Sequence, residues 1–213
     1  MRTDELIDHL SGGLRPLRRT EVARILGVGL GVGIVGSAVL MAVTIGVRHD
    51  VVAMLSGGAF WLKFVYTFAI AALGLRLVER MGRPGTDARL PLLFLAVPVL
   101  TIMAMMAMQM MPASDAARHA LIMGHSANVC TLLIAALALP LFAGLFWSLK
   151  RLAPTRLTEA GAAAGLLAGS ASATIYAFHC TESTATFIAI WYTAGILLTT
   201  LMGAALGRWM LRW

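Results

Sequence analysis

Long apolar runs recur along the chain and are separated by short polar stretches. The hydrocarbon core of a bilayer is about 30 Å thick, and a helix needs about 20 mostly apolar residues to cross it. The runs that reach this length are 25–47, 59–78, 90–111, 126–149, 157–178 and 184–207. The pattern predicts an all-α polytopic membrane protein: residues 24–213 form a six-helix transmembrane domain, and residues 1–23 form a separate polar segment.

Glycines are frequent inside these runs and have two interpretations. Residues 31–36, GVGIVG, match the dinucleotide pattern G-x-G-x-x-G, but that motif has meaning only between a strand and a helix. Inside a membrane span, small residues instead let two helix backbones approach closely. We therefore expect the glycines of the first run to be packing positions. The same expectation covers Gly161, Gly165, Gly169, Gly203 and Gly207.

Composition supports the membrane assignment. The chain is 59% hydrophobic and only 13% charged, whereas soluble domains carry about 25% charged residues. Its mean hydropathy is +0.83. The net charge of +7 does not require nucleic acid as a partner, because cytoplasmic loops of membrane proteins collect Lys and Arg.

The distribution of basic residues predicts the orientation. Fourteen of the seventeen Lys and Arg residues fall in the N-terminal segment, in the second and fourth loops, at helix ends next to these loops, or at the C-terminus. The three on the other side are Arg48, Lys63 and Arg118. By the positive-inside rule, both termini face the cytoplasm.

The N-terminal segment carries one apolar stripe, which runs from Ile7 to Leu17 at helical spacing. Such a stripe could lie on the membrane surface or bind the groove of a soluble partner. Acidic residues at 4, 5 and 8 would be repelled by anionic lipid, and this favours a protein partner.

The two cysteines fall on the outer side in this topology. Cys130 lies about one turn inside the fourth run, and Cys180 lies just past the end of the fifth. Each has a histidine nearby in sequence, His125 before Cys130 and His179 before Cys180. We expect Cys130 and Cys180 to form one thiol site with His179, and His125 is a further candidate.

Two chemistries are open to such a site. Thiolate and imidazole suit soft metals, so Cys130 and Cys180 could bind Cu, Cd or Zn transiently without a resident cofactor. Two thiols in an oxidising compartment could instead close a disulfide. Glu182 could be a further ligand, a carboxylate that orients His179, or an ordinary loop acid.

Several motifs together resemble a known family. The opening TDELIDHL followed by LRPLRR, the six spans, Cys130 on the fourth span, and HCTES followed by FIAIWY resemble the NrsF family. Its members are bacterial inner-membrane anti-sigma factors that act on extracytoplasmic-function sigma factors of the sigma-F type. The resemblance implies that Cys130 and Cys180 respond to metal or oxidative stress and that the cytoplasmic N-terminus holds the sigma factor. The candidate sigma-binding residues are Asp4, Glu5, Leu6, Ile7 and Leu10.

Other functions receive less support from the sequence. A copper-type transporter, the main alternative, would place ionisable or thiolate residues at mid-membrane depth, and the middles of the six runs lack charges. A quinone-coupled thiol oxidoreductase normally needs two cysteine pairs, and this chain has one dispersed pair. No triad-like grouping indicates an enzyme. We expect lipid and a sigma factor as partners and no direct contact with nucleic acid, and self-association into a homo-oligomer stays open.

Overall fold

The computed structural model describes residues 3, 5, 19–83 and 87–212, and within these residues all regular secondary structure is helical. This confirms the all-α prediction for the described part of the chain. The helices are α1 (Arg19–Thr44), α2 (Val51–Ser56), α3 (Gly58–Met81), α4 (Arg89–Met110), α5 (Asp115–Met123), α6 (Ala127–Leu152), α7 (Leu157–Tyr176) and α8 (Ala185–Met210). Near its start, α8 contains one π-helical turn, Ile188–Tyr192.

The long helices follow the predicted runs, with small differences at their ends. Helix α1 begins at Arg19, six residues before the apolar run that starts at 25. Hydropathy marks only the apolar part of a helix, and the backbone hydrogen bonds of a helix can continue into polar sequence. The short helices α2 and α5 lie in stretches that the apolar pattern assigned to loops. Neither is long enough to produce a hydropathy signal of its own.

Five helical segments of the described chain are long and apolar enough to cross a membrane. They are the segments containing α1, α3, α4, α5 with α6, and α8. Their outer faces are apolar: Val43, Leu93 and Leu201 are 80%, 69% and 68% exposed. Exposed apolar faces of this kind on long helices are expected where the surrounding medium is lipid rather than water.

Helix α7, the fifth predicted span, is 20 residues long but is not among these five segments, because it is rich in Ala, Gly, Ser and Thr. It occupies the centre of the bundle, where it packs against α3, α6 and α8. Most of its residues are buried by these neighbours, so little of its surface faces outward. Small residues at this position let three helices approach the same axis.

The glycine packing predicted for α7 and α8 is confirmed. Gly161 lies directly against the backbone of Gly203, and a Cβ on Gly161 would lie 2.7 Å from the Cα of Gly207. A Cβ on Gly165 would lie 2.9 Å from the Cα of Thr200. Side chains at these positions would force the two helices apart.

In the first run the glycine prediction holds only in part. Gly33 faces Leu141, where a Cβ would lie 2.8 Å from the Leu141 Cα. Gly31 has nothing within 4 Å of a Cβ, so its assignment as a packing position is wrong. The closest approach of α1 to α6 joins the backbones of Gly29 and Gly144, a pair that the sequence pattern did not single out.

Two core clusters lie at opposite ends of the bundle. One contains Val22, Leu149 and Leu211 and lies beside the helix ends that carry most of the basic residues. The other contains both cysteines, together with Tyr176 and Tyr192. The up-and-down course of the helices therefore separates the cysteines from the basic end by the length of the bundle.

Candidate thiol site

The structure brings the two cysteines into one buried cluster. Cys130 lies in the first turn of α6, and Cys180 lies four residues beyond the end of α7. Both are free thiols, with exposed fractions of 0% and 3%. Both belong to the same core cluster of packed residues. Two cysteines fifty positions apart in the chain thus belong to one buried cluster. That they act as one functional site stays a prediction.

Two tyrosines line the same cluster. The Tyr176 side chain packs in the same buried cluster as Cys130. The Tyr192 hydroxyl lies near Cys180 and is fully buried, yet among the described residues no donor or acceptor forms a hydrogen bond of good geometry with it. The two rings lie with centroids 5.9 Å apart. The site therefore holds two thiols and the Tyr192 hydroxyl. Within the described residues, this hydroxyl has no hydrogen bond of good geometry.

The segment 177–184, which joins α7 to α8 and carries Cys180, is held from three sides. On the first side, Lys63 reaches it from the second turn of α3. The Lys63 Nζ donates to the carbonyl oxygens of Cys180 and Glu182, at 2.7 Å in each case. Lys63 is only 2% exposed, which is unusual for a lysine unless its amino group has partners. It fixes the backbone on both sides of Thr181.

On the second side, Glu182 fastens the segment to the start of α6. Its carboxylate accepts hydrogen bonds from the backbone N–H of His125 at 2.6 Å and from the Ser126 hydroxyl at 3.3 Å. A carboxylate is favourable at this position, because the N-terminal end of a helix carries partial positive charge. Glu182 is 8% exposed, so it anchors the backbone, a role that the sequence did not indicate.

Gly124 makes room for this anchor. Its φ is +49°, which is unfavourable for residues with a side chain. A Cβ at this position would lie 2.6 Å from Oε2 of Glu182. The turn between α5 and α6 therefore needs glycine both for its backbone conformation and for the approach of the carboxylate.

On the third side, the segment after α1 contacts the residues around Cys180. The Nδ1 atom of His179 lies 2.9 Å from the carbonyl oxygen of Gly46. The Arg48 backbone N–H donates to the Phe178 carbonyl at 3.3 Å, and Arg48 Nη1 donates to the Cys180 carbonyl at 3.4 Å. His179 is thus tied to backbone, whereas the His125 side chain is 97% exposed.

Asp50 holds Arg48 in this position. The two side chains form an ion pair with an Nη2–Oδ2 distance of 2.5 Å. The hydrogen bond from Arg48 lowers the pKa of Asp50, and the same bond raises the pKa of Arg48. Both residues therefore stay charged over the whole neutral range.

A cavity of about 280 Å³ lies beside Cys180. Its lining includes Arg48, His49, Ser126, Tyr176, His179 and Cys180. His49 at its rim is exposed. The cavity therefore gives a small ligand a route from the surface towards Cys180, while Cys130 lies deeper.

The metal-ligating residues are few. Within the described residues, no group of three or more His, Cys, Asp or Glu side chains is arranged to hold a metal ion. The soft-metal donors of the cluster are the two thiols. The Glu182 carboxylate is taken up by the start of α6, where His125 Nδ1 lies 3.8 Å from its Oε1. A metal at this site would have Cys130 and Cys180 as its ligands, with the Tyr192 oxygen close by.

Sequence reasoning missed two polar residues that position the site. In the sequence, Lys63 served only as a charge that sets topology, and Gln109 is a polar residue near the end of the third run. The Gln109 Oε1 accepts hydrogen bonds from the Thr186 N–H and hydroxyl, at 3.0 and 3.1 Å. A polar side chain inside an apolar run was the available signal, because such a residue needs a partner in the bundle interior.

The candidate sigma-binding residues cannot be placed in the same way. Asp4, Leu6, Ile7 and Leu10 lie outside the described residues. Glu5 is helical and exposed.

Comparison with known proteins gives matches over nearly the whole chain. The family model NrsF, negative regulator of sigma F, matches residues 10–213. The probable anti-sigma-F factor NrsF of Azospira oryzae is 38% identical over 213 residues, which is 100% of both chains. The anti-sigma-F factor NrsF of Caulobacter vibrioides is 38% identical over 216 residues, again 100% of both chains. No solved structure matches the chain.

Proposed function

The chain belongs to the NrsF family of negative regulators of sigma F, and we propose that it is an anti-sigma factor of the bacterial inner membrane. It holds a sigma factor of the extracytoplasmic-function, sigma-F type in the cytoplasm and releases it under metal or oxidative stress. The observation that carries this proposal is the full-length similarity to two anti-sigma-F factors, at 38% identity each. This role is regulatory and needs no catalytic residue.

The proposed topology has six spans, with α7 as the fifth. Helix α7 is 20 residues long, enough to cross a bilayer. Its burial among α3, α6 and α8 removes the need for a lipid-facing apolar surface. Six spans bring both termini to one side, and the excess of basic residues makes that side the cytoplasm. The N-terminal segment then faces the sigma factor and Cys180 faces outward.

The proposed sensor consists of Cys130 and Cys180. Two neighbouring thiols can bind Cu, Cd or Zn as thiolates or can be oxidised to a disulfide. The cavity beside Cys180 supports access. The buried Tyr192 hydroxyl, for which the described residues provide no hydrogen bond of good geometry, is a further oxygen in the same cluster as the thiols. Both thiols are buried in the structure. A metal or an oxidant therefore reaches them only if the residues around them move. That requirement couples chemistry at the site to helix packing.

The proposed signal travels through α6 to α1. Cys130 is part of α6, and α6 lies directly against α1 where the backbones of Gly29 and Gly144 meet. Ser148 on α6 also donates to the Ile25 carbonyl of α1 at 2.9 Å. Tightly packed helices move between discrete arrangements rather than deforming continuously. A shift of α6 therefore moves α1, and the sigma-holding segment directly precedes α1.

The sensing role is tested with a reporter of sigma-dependent transcription in cells. The variants are Cys130→Ser and Cys180→Ser, and Leu132→Ala on the exposed face of α6 is the matched control. We expect both serine variants to keep the reporter low and to lose induction by Cu, Cd or oxidants, whereas the control responds normally. Normal induction in both serine variants would show that the sensing site is wrong.

The holding role is tested by co-purification. The detergent-extracted full-length chain should retain a sigma factor, and a chain lacking residues 1–22 should lose it while still inserting into the membrane. Retention of the sigma factor by the truncated chain would exclude the N-terminal segment as the binding element. Transport of copper into vesicles by the purified protein would instead favour the transporter alternative.

A further inference from the structure

Lys63 is the only described lysine with a buried side chain; the other lysine, Lys150, lies at the opposite end of the bundle and is exposed. The two hydrogen bonds of its Nζ end on carbonyl oxygens that flank Thr181, directly after Cys180.

The two carbonyl acceptors depend on Lys63 to different degrees. The Cys180 carbonyl has a second donor, Arg48 Nη1, at 3.4 Å. Among the described residues, Lys63 is the donor found for the Glu182 carbonyl. Removal of the amino group would leave this carbonyl buried without a partner, which is more costly than loss of an exposed hydrogen bond. The segment would lower that cost by moving towards water, and Cys180 would move with it.

We propose that Lys63 is a positioning residue whose two hydrogen bonds, here called the latch, hold the Cys180 segment in the buried arrangement seen in the structure. While the latch is made, Cys180 is buried beside Cys130 and Tyr192, and the outer ends of α3, α6 and α7 are held together. When the latch is broken, Cys180 becomes accessible and α6 loses its anchor through Glu182. The predicted effect of Lys63 on sigma release rests on the proposed function. Its predicted effect on the accessibility of Cys180 does not.

The first measurement is the rate at which a maleimide modifies each cysteine of the purified full-length protein in detergent. Mass spectrometry of peptides separates Cys180 from Cys130. The variants are Lys63→Met, which keeps the length and apolar stem, and Lys63→Arg, which keeps a cationic donor; Lys150→Met is the matched control. We expect Lys63→Met to raise the Cys180 rate by at least about tenfold, equivalent to about 1.4 kcal/mol. Lys63→Arg should restore a rate close to that of the parent protein.

Selectivity distinguishes a latch from a general structural role. A bundle that merely loosened would expose both thiols, whereas an opened latch exposes Cys180 and leaves Cys130 slow. If Cys180 is modified at the parent rate in Lys63→Met, or if both cysteines accelerate equally, the latch is refuted. If Lys63→Met does not accumulate in membranes, Lys63→Leu, which also has no donor, replaces it, and the same two results decide.

The second measurement is basal sigma-dependent transcription in cells that produce the same variants. Lys63→Met should raise it without any inducer, and Lys150→Met should not. Faster modification of Cys180 with an unchanged reporter would support the latch and contradict the proposed coupling to sigma. The rate of Cys180 modification alone decides whether the latch exists. A wrong latch and a wrong proposed function therefore give different results.

Discussion

Replacing Glu182 by Gln tests whether its carboxylate joins the Cys180 segment to α6. The change keeps the size of the side chain and one acceptor oxygen but removes the negative charge. In the structure, that charge accepts hydrogen bonds from the His125 N–H at 2.6 Å and the Ser126 hydroxyl at 3.3 Å and is 8% exposed. It therefore interacts with the N-terminal end of α6 with little screening by water.

The magnitude follows from these contacts. A hydrogen bond to a charged group contributes about 1.5–3 kcal/mol, and part of this survives because both bonds end on Oε1, where the neutral Gln oxygen can still accept them more weakly. The loss of charge at a helix N-terminus adds about 0.3–1 kcal/mol. A net cost of about 1–2 kcal/mol corresponds to a Tm lower by roughly 2–8 °C for a chain of this size.

The assay is thermal unfolding of the full-length protein in detergent, at one scan rate for all variants. Glu159→Gln is the matched control, because Glu159 pairs with Arg156 at 3.1 Å while both side chains are more than half exposed, at 56% and 69%. An exposed pair of this kind contributes about 0–1 kcal/mol. Equal Tm values for Glu182→Gln and Glu159→Gln would refute the reasoning, because burial would then make no difference to the carboxylate.

Two further predictions follow from single contacts. Tyr192→Phe should leave the Tm unchanged or raise it, because the Tyr192 hydroxyl has no hydrogen bond of good geometry within the described residues. Tyr66→Phe should lower the free energy of unfolding by about 1 kcal/mol, because the Tyr66 hydroxyl pairs with the Thr193 hydroxyl at 2.7 Å. A Tm of Tyr192→Phe that falls below the parent value as far as that of Tyr66→Phe would contradict the first prediction. Asp50→Asn should remove a pH-dependent part of the stability. Arg48 lowers the pKa of Asp50 in the folded protein. The stabilisation by Asp50 is therefore complete above its unfolded-state pKa of about 3.9 and is lost as the pH falls through its folded-state pKa. Comparison of Tm between pH 6 and pH 3 measures it, and the same pH dependence in Asp50→Asn and in the parent would exclude it.

The sequence was most informative where one physical constraint dominates. A bilayer demands about 20 apolar residues for each span, so the long helices were readable as runs. Helix α7 is the instructive case, because its length was predicted correctly but its central place was not. Hydropathy reports the medium around a helix, and the neighbours of α7 are other helices. The short helices α2 and α5 were missed because no such constraint acts on them.

The candidate site divides in the same way. The sequence by itself determined that Cys130 and Cys180 belong to one end of the molecule, because alternating helices return each second loop to the same side. Only the tertiary structure decided what holds them. Lys63 lies 117 residues before Cys180 in the chain, and His125 lies 57 residues before Glu182. Apolar periodicity fixes which face of a helix is buried, but it does not specify which buried polar group meets which. That pairing is set by the rotation and depth of each helix in the packed bundle, because an unpaired polar group is costly in the interior and most buried donors and acceptors are therefore paired.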